Sequence, residues 1–148
     1  VQTNAGNRGF NFVTKWKRSN YLTITDEELM LTNQDKNSDH KKQLSKINQY
    51  HKFKMVNVTM GNRGSFIYNK NKSNFTPAFT TKVENIVDRV GAGDSLFAAT
   101  IPFSYLNFNL HEIGAIGNIA GSLNLLFRAN KKIITIEKII KNLFYLIK

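Results

Sequence analysis

A glycine-containing turn between two acidic residues, followed by a long apolar run, constrains the fold of this chain most strongly. Residues 88–94 read Asp-Arg-Val-Gly-Ala-Gly-Asp, and the apolar run begins directly after Ser95. Glycine lets a backbone approach a ligand closely, and a helix that begins at such a turn directs N–H groups outward toward anions. Asp94 is therefore either a base beside a bound phosphate or a plain complement to the helix dipole.

Length and composition predict one globular domain or one piece of a larger one. The 148 residues are 41% hydrophobic, which is enough for a core. The absence of cysteine excludes disulfides, thiolate catalysis and cysteine zinc sites, and the three histidines have no metal-ligand spacing. We see neither an early signal-like segment nor an apolar run long enough to span a bilayer. We therefore expect a cytoplasmic protein without a membrane partner.

The formal net charge of +11 is compatible with nucleic-acid binding. The lysines, however, are spread along the whole chain, and the lysine doublets at 41–42 and 131–132 are short. No aromatic-basic motif accompanies them. We expect a solvated basic surface that also favours an anionic substrate, and no nucleic-acid partner.

Strand and helix signals alternate in the first half of the chain and give way to three consecutive helices. This order predicts α/β layering rather than a helix bundle. Thr25 and Glu28 form a capping-box pattern, and Asp39 and Thr135 are expected to cap later helices. The expected elements are strands at 12–14 and 21–24, helices from 25 and at 39–50, a hairpin of strands 54–60 and 65–68 with a polar tip at 70–74, an extended piece within 75–87, and helices at 94–106 (kinked or ended early by Pro102), 110–127 and 136–147.

The first eleven residues are polar, contain glycine and lack an initiator methionine. This composition is typical of a strand end and a loop inside a fold. We therefore expect the chain to be the C-terminal part of something longer.

Four segments resemble, in the family's own order, the ribokinase (PfkB-type) carbohydrate kinases. Residues 88–95 resemble the C-terminal signature D-x-x-G-A-G-D, and residues 58–65 are similar to the T-x-G-x-x-G hairpin that precedes it. Residues 21–28 resemble the strand that leads to the N-x-x-E motif, with Thr25 in place of the family's Asn. Residues 116–121 resemble the helix that follows the signature.

The resemblance implies a ribokinase-like three-layer α/β/α fold with a mainly parallel sheet. Residues 1–148 would be its C-terminal, nucleotide-binding half, with a β-hairpin and three closing helices. The family's other half carries much of the sugar site and the β-lid. Similarity to the subgroup that accompanies nucleotidylyltransferase domains, such as the heptose-phosphate kinase of ADP-heptose synthase, adds such a domain to the expected partners. The family resemblance also implies a homodimer, which the lid would mediate.

The activity that the resemblance implies is ATP-dependent phosphotransfer to a hydroxyl of a sugar or sugar phosphate. Asp94 would be the general base, and Gly91, Ala92 and Gly93 would form the anion hole. Glu28 would act on Mg²⁺–ATP through water. Asp88 would help to hold a monovalent cation such as K⁺.

The same resemblance assigns further residues to the neighbourhood of the nucleotide, namely Thr59, Gly61, Gly64 and Asn118. Each assignment has a structural alternative. A hairpin turn explains both glycines, a buried helical amide explains Asn118, a hydrogen bond within its own turn explains Asp88, and a capping box explains Glu28. The alternative function is a fragment or degenerate nucleotide-binding domain without catalysis. A basic nucleic-acid module, suggested by charge alone, is the third.

Overall fold

The computed structural model describes residues 11–70, 72–79, 85–128 and 131–147. Two compact units are formed, the first by Val1–Met60 with Phe66–Ser73 and the second by Gly61–Ser65 with Asn74–Lys148. The strands are β1 (Arg18–Thr25), β2 (Lys52–Thr59), β3 (Ser65–Asn69) and β4 (Lys72–Thr76). The helices are α1 (Asp26–Asn33), α2 (His40–Tyr50), α3 (Ala92–Tyr105), α4 (Leu110–Asn124) and α5 (Ile136–Ile147), with single 3₁₀ turns at Val13–Lys15 and Gly61–Arg63.

The first unit is built around the parallel pair of β1 and β2, which α1 and α2 connect. The pairing runs from Arg18 opposite Lys52 to Thr25 opposite Thr59. Apolar residues of both strands pack with the two helices, and β2 is buried at consecutive positions and therefore on both of its faces. This core contains Val13, Leu22, Ile24, Leu29, Leu44, Ile47, Phe53, Val56 and Val58.

The sheet has the strand order β1-β2-β3-β4. Parallel neighbours need a crossover of about a dozen residues or more, and the connections from β2 to β3 and from β3 to β4 are too short for one. The α/β fold class is confirmed. The described strands nevertheless form a mixed sheet, because hairpins join β2, β3 and β4, and the expected parallel pairing holds for β1 and β2.

The expected strand at 12–14 is wrong. Val13–Lys15 is a 3₁₀ turn in which the Trp16 amide donates to the Val13 carbonyl over 3.2 Å. The single turn buries Val13 completely. The Trp16 carbonyl contacts Nδ1 of the buried His51 at 2.6 Å. These tertiary contacts outweigh the β-propensity of a three-residue segment.

The polar tip expected at 70–74 is also wrong in part, because β4 begins at Lys72. Asn69 closes the turn, with its Oδ1 accepting from the Lys72 amide over 3.1 Å. A short polar strand at the end of a sheet needs only backbone pairing, so its side chains carried no strand signal. Residues 80–84 of the expected extended piece, and residues 1–10, lie outside the described residues.

In the second unit, α4 packs against both α3 and α5. Its core contains Ile116, Ile119, Ala120 and Ile139, with Phe103 and Leu143 packed on them. Two predicted helix boundaries shift by more than one residue, namely the start of α3, at Ala92 instead of Asp94, and the end of α4, at Asn124 instead of Phe127. Pro102 lies inside α3, which ends three residues later.

Within the described ranges, no helix combines the length and the apolar character that crossing a membrane requires.

Candidate active site

The turn that precedes α3 is organised by Gly91. Its φ of 83° lies in the left-handed region, which glycine adopts without a steric penalty. The Asp88 carboxylate accepts a hydrogen bond from the Val90 amide over 3.0 Å, so the acidic residue stabilises its own turn. The chain enters the helix directly afterwards, and the Ser95 amide donates to the Gly91 carbonyl over 2.9 Å.

The first turn of α3 carries backbone N–H groups that have no acceptor within the helix, and the Ala92 amide makes a long hydrogen bond to the Arg89 carbonyl at 3.4 Å. The first four N–H groups of any helix lack intrahelical partners, and the glycine at the N-cap has no side chain to cover them. A β-carbon added to Gly93 would meet nothing within 4 Å, so the space beside this residue is open. Asp94 lies in the same turn and is exposed. The arrangement suits an anion with a carboxylate beside it.

The C-terminal end of α4 holds this turn through hydrogen bonds. The Asn124 side chain donates to the Val90 carbonyl over 2.9 Å and is almost fully buried. The Leu125 carbonyl accepts from the amides of Val87 and Asp88, at 2.8 and 3.3 Å. Sequence reasoning missed Asn124. The available signal was its place on the face of α4 that carries Gly121 and Gly117, one and two turns earlier.

A second cluster of predicted residues meets at the end of β4. Asn118 donates from Nδ2 to the carbonyls of Thr76 and Pro77, at 3.0 and 2.8 Å. Gly64 has a φ of 108°, and a β-carbon there would clash with the backbone of 76–78. Gly61, with a φ of 57°, is exposed and has open space around it. These contacts give Asn118 and Gly64 structural roles.

In the first unit, the carboxyl ends of β1 and β2 bring Thr25 and Thr59 opposite each other. The predicted capping box is present, because the Thr25 hydroxyl accepts from the Glu28 amide and Glu28 Oε2 accepts from the Thr25 amide, at 3.1 and 2.9 Å. Ligands of open α/β sheets bind outside the carboxyl ends of the strands. Thr59 and Glu28 therefore lie at the carboxyl ends of the strands, where a ligand can bind.

The glycine turn, the hairpin before it and the helix after it match a known family model. Residues 16–128 match the model described as pfkB family carbohydrate kinase. This chain belongs to the pfkB family. Among curated proteins, none matches the sequence.

Solved structures confirm the ribokinase-like fold of this pfkB-family chain. Phosphofructokinase-2 from Escherichia coli superposes with a TM-score of 0.74 at 21% identity, over 92% of this chain and 44% of its own. The nucleoside kinase of Methanocaldococcus jannaschii, an archaeal member of the ribokinase family, gives 0.70 at 23%, over 86% and 40%. A putative ribokinase II from E. coli in complex with ATP and Mg²⁺ gives 0.67 at 23%, over 84% and 40%. The pfkB-family chain thus spans about two fifths of these relatives.

The two predicted metal-site residues of this pfkB-family chain belong to different units, Glu28 to the first and Asp88 to the second. Among the described residues, no group of three or more His, Asp or Glu is arranged around a metal position. Mg²⁺ at phosphotransfer sites is held by one or two carboxylates together with substrate phosphates. Glu28, as a single carboxylate, fits that mode and not a cage made entirely of protein.

A cleft of about 590 Å³ opens beside the signature helix in the second unit of the pfkB-family chain. Its walls are apolar side chains of α3, α4, α5 and the segment before α5. The polar members of its lining are Ser95, Asn124 and Lys132. Ser95 directly follows Asp94, so the apolar cleft begins one residue after the predicted base.

Proposed function

We propose that this chain is the nucleotide-binding part of an ATP-dependent kinase that phosphorylates a hydroxyl of a sugar or sugar phosphate. The observation that carries the proposal is the helix that begins at Gly91 in the left-handed conformation, with an exposed Asp94 in its first turn. Family membership supplies the reaction class. The relatives' known substrates belong to those proteins, so the acceptor here is proposed only by class.

The anion hole consists of the backbone amides of Gly91, Ala92 and Gly93. Negative charge spreads over the phosphoryl oxygens during transfer, and donors fixed before the reaction stabilise it without reorganisation. The open space at Gly93 supports this role, because a β-carbon there would meet nothing within 4 Å and a ligand can therefore approach. The anion hole therefore depends on backbone shape and on small residues.

Asp94 is the proposed general base. Its carboxylate takes the proton of the acceptor hydroxyl as that oxygen bonds to the γ-phosphorus. The bond from phosphorus to the bridging oxygen breaks at the same time, and ADP leaves. Placement in the first turn puts the carboxylate within a residue of the anion hole, which serves the positioning that phosphotransfer requires.

The nucleotide is proposed to place its phosphates on the α3 turn and its base in the apolar cleft beside Ser95, whose size and lining are typical of ligand pockets. Thr59, Gly61, Gly64 and Asn118 remain proposed neighbours of the nucleotide. Mg²⁺ bound to ATP would neutralise phosphate charge. Glu28 is proposed to hold a water of that ion, and Asp88 to approach a monovalent cation such as K⁺.

The test is turnover of ATP by the intact protein with a panel of sugars and sugar phosphates. Asp94→Asn should lower kcat by about 10² to 10⁴-fold, because it removes the proton acceptor, and leave ATP affinity by calorimetry unchanged. The matched control is Glu137→Gln, the same neutralisation in the first turn of α5. Wild-type turnover by Asp94→Asn would exclude the base role.

The second candidate is a nucleotide-binding domain without catalysis. One observation favours it, since a capping box joins Thr25 and Glu28 where the family has Asn-x-x-Glu. Wild-type protein that binds ATP and turns it over with none of the acceptors would support this candidate. A homodimer, a nucleotidylyltransferase partner and a cytoplasmic location stay predictions.

A further inference from the structure

Asn124, the last residue of α4, is a buried polar side chain that no motif of the family resemblance includes. It is 2% exposed, and its Nδ2 donates to the Val90 carbonyl over 2.9 Å. Burying an amide is unfavourable unless its hydrogen bonds are made, so its partner sets its orientation. That partner is the carbonyl directly before Gly91, in the middle of the signature turn.

We infer that Asn124 is a positioning residue that aims the anion hole. The inference rests on the proposed function. It assigns Asn124 no contact with the reacting atoms, because its effect passes through the backbone of the signature turn.

The planarity of the peptide bond supplies the physical link. The Val90 carbonyl and the Gly91 amide belong to one peptide unit, and no described peptide is cis. In a trans peptide the C=O and the N–H point in opposite directions. The Val90 carbonyl is held on the Asn124 side chain. The Gly91 N–H is therefore directed away from α4, and it is the first donor of the proposed anion hole.

A glycine needs such a restraint more than other residues do. Glycine at position 91 reaches both positive and negative φ at little cost, so a rotated Val90–Gly91 peptide would compete with the observed one. Asn124 stabilises one of the two orientations. The Val90 amide is held at the same time by the Asp88 carboxylate over 3.0 Å, so both polar groups of Val90 are fixed.

The same end of α4 also holds the segment that enters the turn. The Leu125 carbonyl accepts from the amides of Val87 and Asp88. On the helix side, a β-carbon at Gly121 would lie 3.4 Å from the Ala92 carbonyl, so α4 and the start of α3 are in close contact. The C-terminal end of α4 thus contacts the signature segment on both sides of Gly91.

The experiment compares Asn124→Leu and Asn124→Ala with Ser122→Ala in the intact protein. Leucine keeps the branched shape of asparagine at a larger volume and removes the donor, whereas alanine removes both the donor and volume. Ser122 is a matched control because it lies on the same helix, is 6% exposed, and donates its buried hydroxyl to the Ile119 carbonyl over 2.8 Å, away from the turn. Thermal melting of each variant verifies that it is folded.

Two measurements are made on each variant. The first is ATP turnover with the acceptor that the wild type uses, where Asn124→Leu should lose about 10- to 100-fold in kcat, less than the roughly 10²–10³-fold loss from deleting an oxyanion-hole donor outright. The KM for ATP should change less than kcat. The second is the NMR shift and hydrogen exchange of the Gly91 amide without ligand, which should change in both Asn124 variants and not in Ser122→Ala.

Equal kcat and an unchanged Gly91 amide in Asn124→Leu would overturn the inference, as would an equal loss of kcat in Ser122→Ala. A role in packing alone predicts a loss in Asn124→Ala and none in Asn124→Leu. If the wild type turns over ATP with none of the acceptors, the proposed kinase function fails. The amide measurement then decides the positioning role by itself.

Discussion

Gly114 of α4 packs against the side chain of Thr76 at the end of β4, and this contact leaves no room for a side chain at position 114. A β-carbon on Gly114 would clash with the Thr76 hydroxyl and lie 2.9 Å from its Cβ. Thr76 cannot turn aside easily, because its hydroxyl accepts from Asn74 and its carbonyl from Asn118. This contact fixes the start of α4, and the end of the same helix holds the signature turn through Asn124.

Gly114→Ala should therefore destabilise the protein by about 1–3 kcal/mol, as overpacked sites do. Gly121→Ala is the matched change on the same face of α4, where the new β-carbon would lie 3.4 Å from the Ala92 carbonyl. There the gain in helix propensity offsets the crowding, and we expect a change of less than about 1 kcal/mol. Denaturant midpoints measure both. Equal destabilisation by the two variants would contradict this account of the contact.

The capping role of Glu28 and its proposed role toward Mg²⁺ can be separated by replacing its carboxylate with the amide of glutamine. Glu28→Gln keeps an acceptor for the Thr25 amide, so the capping box survives and stability should change by less than about 0.5 kcal/mol. Removing the charge should raise the Mg²⁺ concentration needed for half-maximal turnover. Thr25→Ala is the converse variant, and loss of its cap should cost about 0.5–2 kcal/mol. A wild-type Mg²⁺ dependence in Glu28→Gln would leave the cap as the function of this residue.

The features that were predicted from sequence are the local ones. The capping box of Thr25 and Glu28, the cap at Asp39 and the turn at Gly91 depend on residues within a few positions of one another, so their patterns carry the geometry. The paired strands β1 and β2 were visible because alternate apolar residues must face a core.

The features that escaped prediction depend on partners far along the chain. Val13 begins a 3₁₀ turn because its side chain is buried in the core of the first unit. Asn124 has no local sequence signal, since its side chain donates to the Val90 carbonyl, 34 positions earlier. Asn118 had two open readings, and its hydrogen bonds to Thr76 and Pro77 support the structural one. Helical periodicity marks which face is buried but not what that face contacts.

The ion pair of Asp35 and Lys46 should make stability depend on pH in acid. Lys46 Nζ lies 2.6 Å from the Asp35 carboxylate, and this contact, then Ser38 and the amides of Asn37 and Ser38, holds the pKa of Asp35 well below its usual range. A lowered folded-state pKa contributes stability above the unfolded value of about 3.9, and that contribution is lost as the pH falls further.

Lys46→Met should therefore melt below wild type at neutral pH, and the difference should shrink as the pH falls below about 4. The difference will be modest, because the Lys46 side chain is 44% exposed and solvent screens the pair. Lys42→Met, the same change at an exposed position of the same helix, is the control. A pH-independent difference between Lys46→Met and wild type would show that the charge of the pair is not its source.

The glycines of the signature turn should respond differently to alanine. Gly91 has a φ of 83°, where a β-carbon costs about 1–2 kcal/mol, so Gly91→Ala should lose both stability and turnover.

Gly93 lies within the first helical turn, and a β-carbon there would meet nothing within 4 Å. Gly93→Ala should therefore fold as well as wild type, with stability unchanged or slightly raised by helix propensity. Its kcat should nevertheless fall, because the new methyl group projects into the space proposed for the phosphoryl group. Melting curves and ATP turnover measured side by side test this, and a Gly93→Ala variant with full activity would remove Gly93 from the anion hole.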